Sequence, residues 1–317
     1  MARIRSLRSV PITYYCMSVL IVGTTALDSI NTPKAKNPRL LGGSASHAAL
    51  AASFFAPTKL VGVVGGDFPS KYVKLYSSRG IDLKGLERIK DGQTFHWHGE
   101  YEVNMNNRRT LSTELGVIEN WSPKLPGDYE RTPYVLLANI APAIQLTVLD
   151  QISKPKFVIA DTMDLWLNVA LPDLLKLLKR IDCLVLNDSE ARQLTEDDNV
   201  VSSIAKIHKL GPRYVIIKKG EHGSLLSGPS GLFVAPAYPL KQVVDPTGAG
   251  DSFVGGLLGY VAAQKSGSVE KHLRRAMIHG AVVASFCCEG FGLSRTLKAT
   301  KATIAGRVRE LEKLARF

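Results

Sequence analysis

Short runs of β-branched and aliphatic residues alternate with stretches of helical period along most of this chain. The runs at 18–23, 59–64, 134–139, 156–161, 183–187 and 214–218 read as strands. Between them, 44–55, 70–79, 144–152 and 171–180 read as helices. Such alternation predicts an α/β fold, a three-layer α/β/α domain with a mostly parallel central sheet. In sheets of this kind ligands bind at the carboxyl ends of the strands.

One segment departs from the pattern. From Phe95 onward, apolar or small residues occupy every second position, through Trp97, Gly99, Tyr101, Val103 and Met105. After a polar turn at Asn106 and Asn107, Leu111, Leu115 and Val117 continue on odd positions. Period two with a central turn predicts an antiparallel hairpin with one apolar face, set apart from the parallel core. That face needs a cover, which is a ligand, the main domain or a second subunit of a homodimer.

Composition adds few constraints. The 317 residues are 45% apolar and 21% charged, ordinary for one globular domain with an appendage. Cys16, Cys183, Cys287 and Cys288 show neither metal-ligand spacing nor a disulfide framework, so they read as small core residues of a cytoplasmic protein. The formal net charge of +12 is spread along the chain, with Arg3, Arg5 and Arg8 at one end and Lys298, Lys301, Arg307, Arg309, Lys313 and Arg316 at the other. It forms no basic and aromatic module, so a nucleic-acid partner is not expected. No stretch approaches the roughly 20 apolar residues of a membrane span. Residues 1–16 carry arginines without acids and precede the first strand, so they read as an extension that the domain at 17–317 can do without.

Candidate chemistry concentrates in VVDPTGAGDSFVGGLLG, residues 243–259. Gly248, Ala249 and Gly250 sit where a loop turns into a glycine-dotted apolar helix. Their N–H groups are expected to converge at the positive end of the helix dipole as an anion hole. Asp251 follows at once, placed to accept a proton. Phosphoryl transfer needs this pairing of a base for the attacking hydroxyl with fixed donors for the migrating group. Taken alone, an Asp there is a helix cap.

The string DPTGAGD resembles the C-terminal signature of the ribokinase and phosphofructokinase-B family of carbohydrate kinases, and the resemblance runs from Met17 almost to the C-terminus. It implies a ribokinase-like domain with a small β-sheet lid, formed by segments near 29–41 and 93–117. It also implies an ATP-dependent kinase acting on a hydroxyl of a sugar or nucleoside, with Mg2+ and, in some members, a monovalent cation such as K+. Asp251 would be the base, the GAG amides the anion hole, and Asp245 and Thr247 neighbours of the phosphates.

Further positions follow from the same resemblance. Asn187 and Glu190 match an Asn-x-x-Glu element that helps to place magnesium, Glu190 acting through water; alone they are a helix start. Lys218, Lys219 and Gly220 resemble the nucleotide loop, with Lys218 facing phosphate or only solvent. His279 is either an adenine contact or a packed histidine. On the acceptor side, Asp28 matches a substrate-binding Asp, and Gly42 and Gly43 match the paired glycines before the first helix. His47 stands where the family often has Asn, so a ribose-type preference does not carry over. Trp97, Phe95 and Tyr101 offer a wall for a nucleoside base or a subunit seam.

Other classes fit less well. No GxxxxGK[ST] string occurs, and 63–67 is a poor dinucleotide pattern. A non-catalytic metabolite-binding protein on a kinase scaffold would be expected to lack Asp251 or the GAG loop, and both are present.

Overall fold

The computed structural model describes residues 17–106 and 108–316. The extension at 1–16 and the turn residue Asn107 lie outside the described residues. The strands are β1 Val19–Val22, β2 Ala26–Thr32, β3 Ala35–Gly42, β4 Thr58–Gly65, β5 Asp82–Ile89, β6 His96–Tyr101, β7 Arg108–Glu114, β8 Tyr134–Leu137, β9 Phe157–Asp161, β10 Cys183–Asn187, β11 Tyr214–Lys218, β12 Ser224–Gly228 and β13 Gly231–Ala235. The helices are α1 Ser44–Ser53, α2 Ser70–Ser78, α3 Pro142–Leu149, α4 Asp164–Val169, α5 Leu171–Leu178, α6 Asp188–Thr195, α7 Val200–Lys209, α8 Ala249–Ala262, α9 Val269–Cys288 and α10 Lys301–Leu314.

Nine strands form the central sheet in the order β13-β12-β11-β10-β9-β8-β1-β4-β5. From β11 to β5 every neighbouring pair is parallel, and β12 and β13 close one edge antiparallel. The core strands are apolar on both faces because helices cover both. Val19 and Ile21 of β1 point into the cluster with Leu257, Leu258 and Met277 of α8 and α9. Leu20 and Val22 point into the opposite cluster with Leu174, Leu177 and Ile207 of α5 and α7. This places the strand C-termini, with Asp161, Asn187 and Lys218, along one rim.

The expected hairpin is β6 and β7, paired antiparallel. It belongs to a separate four-stranded sheet of order β3-β2-β6-β7, with β2 and β6 parallel. Its apolar face ends sooner than the period-two pattern predicts. The register shifts between His98 and Gly99, so that Ser112 and Thr110 are paired while Leu111 is the extra residue of a bulge. Leu111 is therefore exposed, as is Val103 at the turn, whereas Tyr101 is buried. Phe95, Leu115 and Val117 pack on the main core, so the domain itself supplies that cover.

The glycines of α8 are a packing device. A Cβ on Gly255 would lie 2.2 Å from the carbonyl oxygen of Ala48, and one on Gly259 would lie 2.8 Å from Cα of Ala52, both in α1. The two helices thus touch backbone to backbone. Gly255→Ala is expected to destabilise the fold by about 1–3 kcal/mol, the usual cost of overpacking. Gly306→Ala in α10, where a Cβ meets nothing within 4 Å, is expected to stabilise by about 0.5–1 kcal/mol. Thermal or urea unfolding of the two variants reads the contrast; equal effects would mean that the helix contact has slack.

Candidate active site

The loop before α8 is stapled before it turns. Asp245 is buried, its Oδ1 accepting from the N–H of Thr247 (2.9 Å) and its Oδ2 from that of Gly292 (3.1 Å). Val244 and Asp245 both donate their N–H to the carbonyl of Cys288. Burial raises the Asp245 carboxyl above its ordinary range despite these bonds. The chain then reverses at Gly248, with φ +77°, where a Cβ would lie 2.3 Å from the His47 ring. Only glycine satisfies both demands.

The expected convergence of three N–H groups needs one correction. That of Ala249 is spent on the carbonyl of Pro246 (3.1 Å), closing the turn. Gly250 lies in the first helical turn, where an N–H has no intrahelical partner, and a Cβ there would lie 3.1 Å from Nζ of Lys218. Bare backbone beside an ammonium group is a fit for a phosphate. Burial, then Asp161, pushes the Asp251 carboxyl up to about 6, against the pull of Lys218 and Arg108. Asp251 is thus a base poised just below neutral pH.

Neighbouring strand ends supply the rest of this side. Lys218 at the end of β11 pairs with Asp161 at the end of β9 through contacts of 2.9 and 3.0 Å. Burial alone would lower the Lys218 ammonium, but Asp161, Glu190 and Asp251 hold it above its ordinary value. Asn187 and Glu190 form a capping box: Oδ1 of Asn187 accepts from the Glu190 N–H (2.8 Å), and Oε2 of Glu190 accepts from the Asn187 N–H (2.7 Å). Burial pushes Glu190 up to about 7, opposed chiefly by Lys218. Gly220, with φ +56°, lies in the loop after β11. Among the described residues no three His, Cys, Asp or Glu side chains are grouped to hold a metal.

Asp28, Gly43, His47, Trp97, Gly248 and Asp251 line one cavity of about 120 Å³. Gly42 is bare because a Cβ would lie 1.9 Å from Oδ2 of Asp28. That oxygen accepts the N–H of Gly43 (3.2 Å), while Oδ1 is buried without a partner. Burial pushes Asp28 up to about 7, opposed by the Gly43 N–H and aided by Asp251. His47 is also buried with Nε2 unpartnered, and burial lowers it to about 4, so the ring is neutral near pH 7. Both residues line the cavity, and each keeps one buried polar atom without a side-chain partner.

Several lining residues escaped the sequence reading. Asn139 follows β8, and its Oδ1 accepts from Nε1 of Trp166 (2.7 Å). Met163, Leu165 and Trp166 follow β9, and Arg108 comes from the smaller sheet, whereas Phe95 and Leu115, which flank that sheet's hairpin, were expected on its apolar face. The strand-end rule would have pointed to Asn139 and Met163; nothing in the sequence singled out Arg108. His279 joins neither side: its ring stacks on Tyr260 (3.9 Å between centroids) and meets Phe55 edge-on, the packed alternative. A larger cavity of about 630 Å³, lined by Tyr238, Phe286 and Arg307, contains no residue of the DPTGAGD string.

The smaller sheet touches both sides of the site. Thr247 Oγ1 donates to the hydroxyl of Tyr101 in β6 (3.1 Å). Asn106, at the hairpin turn, donates to Glu221 in the loop after β11 (3.1 Å). The sheet therefore reaches the loop after β11 as well as the DPTG turn beside the cavity.

Residues 21–299 match the sequence profile of the pfkB family carbohydrate kinases. The chain is 29% identical to a cytidine kinase of Thermococcus kodakarensis over 255 residues, 77% of this chain and 88% of that protein. The nucleoside kinase of Burkholderia thailandensis in complex with inosine superposes with TM-score 0.75 at 19% identity, covering 92% of this chain and 97% of that one. Arabidopsis thaliana ribokinase complexed with ribose and ATP superposes with TM-score 0.74 at 22% identity, covering 93% and 99%. Among the described residues no helix is long and apolar enough to cross a membrane.

The Lys218–Asp161 pair carries a test of this geometry. Lys218→Met leaves Asp161 buried without its partner and is expected to cost about 3–5 kcal/mol. The double variant with Asp161→Leu should recover most of that loss. Unfolding curves check it; a single variant as stable as wild type would mean that water reaches Asp161.

Proposed function

The chain belongs to the pfkB family of carbohydrate kinases and is a sugar or nucleoside kinase; from that premise we propose that its acceptor is a nucleoside. The observation that carries the proposal is the two-sided cavity. On one side stand Asp28 with its orphaned Oδ1 and Asp251; on the other, Phe95, Trp97, Met163 and Trp166 form an apolar and aromatic wall. A sugar alone has little use for that wall, whereas a base stacks on it.

ATP supplies the γ-phosphoryl group and carries off the electrons of the broken bond as ADP. In this reading Asp28 accepts hydrogen bonds from the ribosyl hydroxyls and so relieves its buried oxygen. Asp251 takes the proton of the attacking hydroxyl as its oxygen bonds to phosphorus. The N–H of Gly250 and the Lys218 ammonium hold the phosphate oxygens. Mg2+ belongs to the same proposal: Glu190 would help to hold it through water, and the ion would neutralise charge on the phosphates. A monovalent cation near Asp245 and Thr247 rests on the family resemblance alone, since both Asp245 oxygens already serve the loop staple.

A coupled ADP-release assay over sugars, sugar phosphates and nucleosides tests the proposal. The expected outcome is kcat/KM for a nucleoside at least roughly tenfold above that for ribose, the worth of about one good stacking contact. Higher efficiency on a free sugar would overturn the nucleoside assignment. Asp251→Asn is expected to lower kcat by at least about a hundredfold with ATP binding retained. In wild type, kcat should fall as pH drops through about 6, where Asp251 takes up its proton. A flat profile from pH 5 to 8 (~3 units) would remove Asp251 as the base.

The smaller sheet is proposed as a lid, held shut by Tyr101 on Thr247 and by Asn106 on Glu221. Closure excludes water from the transfer. Trp97→Ala should raise KM for the acceptor several-fold more than KM for ATP. Sedimentation of the same variant reads any pairing of two copies along the β7 edge, where Leu111 is exposed. Unchanged acceptor KM would show that Trp97 lies outside the acceptor contact.

A further inference from the structure

We propose that Arg108 is a further catalytic residue, a lid-borne cation that leaves its ion pair with Asp164 to hold the phosphoryl group in transit. The inference rests on the kinase reading. Arg108 opens β7 opposite Tyr101, and the Tyr101 hydroxyl is bonded to Thr247. That register hangs the arginine over the DPTG turn. Its side chain lines the cavity with Asp28, Gly248 and Asp251. It also lies close enough to Glu190 and Asp251 to lower both carboxyls.

Two cations therefore face Asp251, and they are held differently. Lys218 is fixed by both oxygens of Asp161 in a buried pair. It can receive a phosphate but cannot follow one. Among the described residues Arg108 has one ion pair, with Asp164 at 3.8 Å, the side chains being 41% and 60% exposed. A long, exposed pair of this kind is weak, so a phosphoryl group displaces Asp164 readily. The guanidinium also lies 5.9 Å from the Trp97 ring, so an acceptor seated on Trp97 orders the arginine as it binds.

The chemistry suits a guanidinium. As the acceptor oxygen bonds to phosphorus and the bond to the leaving oxygen breaks, negative charge spreads over the non-bridging oxygens. The acceptor proton passes to Asp251, and the electrons of the broken bond leave with ADP. Arg108 forms no covalent bond; it donates two hydrogen bonds to those oxygens. Because it comes from the lid, full charge stabilisation arises only when the lid is shut over an acceptor. Without one, the γ-phosphoryl group meets Lys218 and backbone alone, which restrains transfer to water.

The test compares Arg108→Ala, Arg108→Lys and Asp164→Asn on the best wild-type acceptor. The second readout is affinity for ADP with aluminium fluoride plus acceptor, a mimic of the group in transit, against ADP plus acceptor alone. Arg108→Ala should lower kcat by about 10²–10³, the usual loss for one donor to a developing charge, with both KM values changed by less than about threefold. Affinity for the fluoride complex should fall by a similar factor while that for ADP plus acceptor holds. Arg108→Lys should recover part of both, and Asp164→Asn should keep kcat at or above wild type. Equal weakening of both complexes would overturn the proposal in favour of lid closure alone. So would Arg108→Ala turnover within about threefold of wild type, or an Asp164→Asn loss as large as that of Arg108→Ala. Arg108→Gln replaces Arg108→Ala should the latter fail to fold. Wild type that phosphorylates no acceptor would sink the kinase reading first, and this proposal with it.

Discussion

The ion pair between Lys218 and Asp161 lets a parallel sheet gather several carboxylates at one rim with little water to screen them. Asp161, Glu190 and Asp251 come from the end of β9 and the starts of α6 and α8, and burial raises Glu190 and Asp251 toward neutral pH. At contacts of 2.9 and 3.0 Å their attraction offsets the cost of drying two ions at least in part, so the pair by itself is weak evidence for stability. Its consequence is electrostatic: without the ammonium, Asp251 would hold its proton more tightly and be less often ionised near neutral pH.

Steric constraints place the anion site relative to that pair. Helix α8 can approach α1 only because Gly255 and Gly259 carry no side chains, and Gly248 lies flush on the His47 ring. Moving α8 outward by the width of a methyl group would carry Gly250 and Asp251 away from Lys218. The packing of two helices and the geometry of the site are one constraint seen from two ends. The smaller sheet is tied to the same loop through Tyr101 and Thr247, so any movement of that sheet bears on the DPTG turn.

Much of this was legible in sequence because the signals were local and periodic. The apolar runs at 183–187 and 214–218 coincide with β10 and β11, since buried parallel strands admit few polar residues. DPTGAGD announced the turn because its glycines answer steric demands within a few residues. Tertiary facts were hidden. Asp161 reads as an ordinary strand end, and its role depends on a lysine 57 residues away. Leu111 has the parity of a buried residue, but a bulge expels it. Arg108 is one of 40 basic residues, and only the register of β6 with β7 brings it over the cavity. The N–H of Ala249 was assigned to the anion hole, whereas turn closure claims it.

Asp28 and His47, the two orphaned groups of the acceptor cavity, give its desolvation opposite pH signatures. Asp28 has a folded pKa of about 7 against an ordinary 3.8, so between those values the folded chain keeps a proton that the unfolded chain releases. Its contribution to stability is full below pH 3.8 and is lost as pH rises to about 7. His47, at about 4 against 6.5, acts in reverse: the unfolded chain binds the proton, and stability is lost as pH falls from 6.5 toward 4. The two oppose one another across the overlap, leaving Asp28 alone near neutral pH. There the ionised carboxyl is least comfortable, because its Oδ1 is buried without a side-chain partner and the N–H groups of Gly43 and Trp97 offset the desolvation only in part.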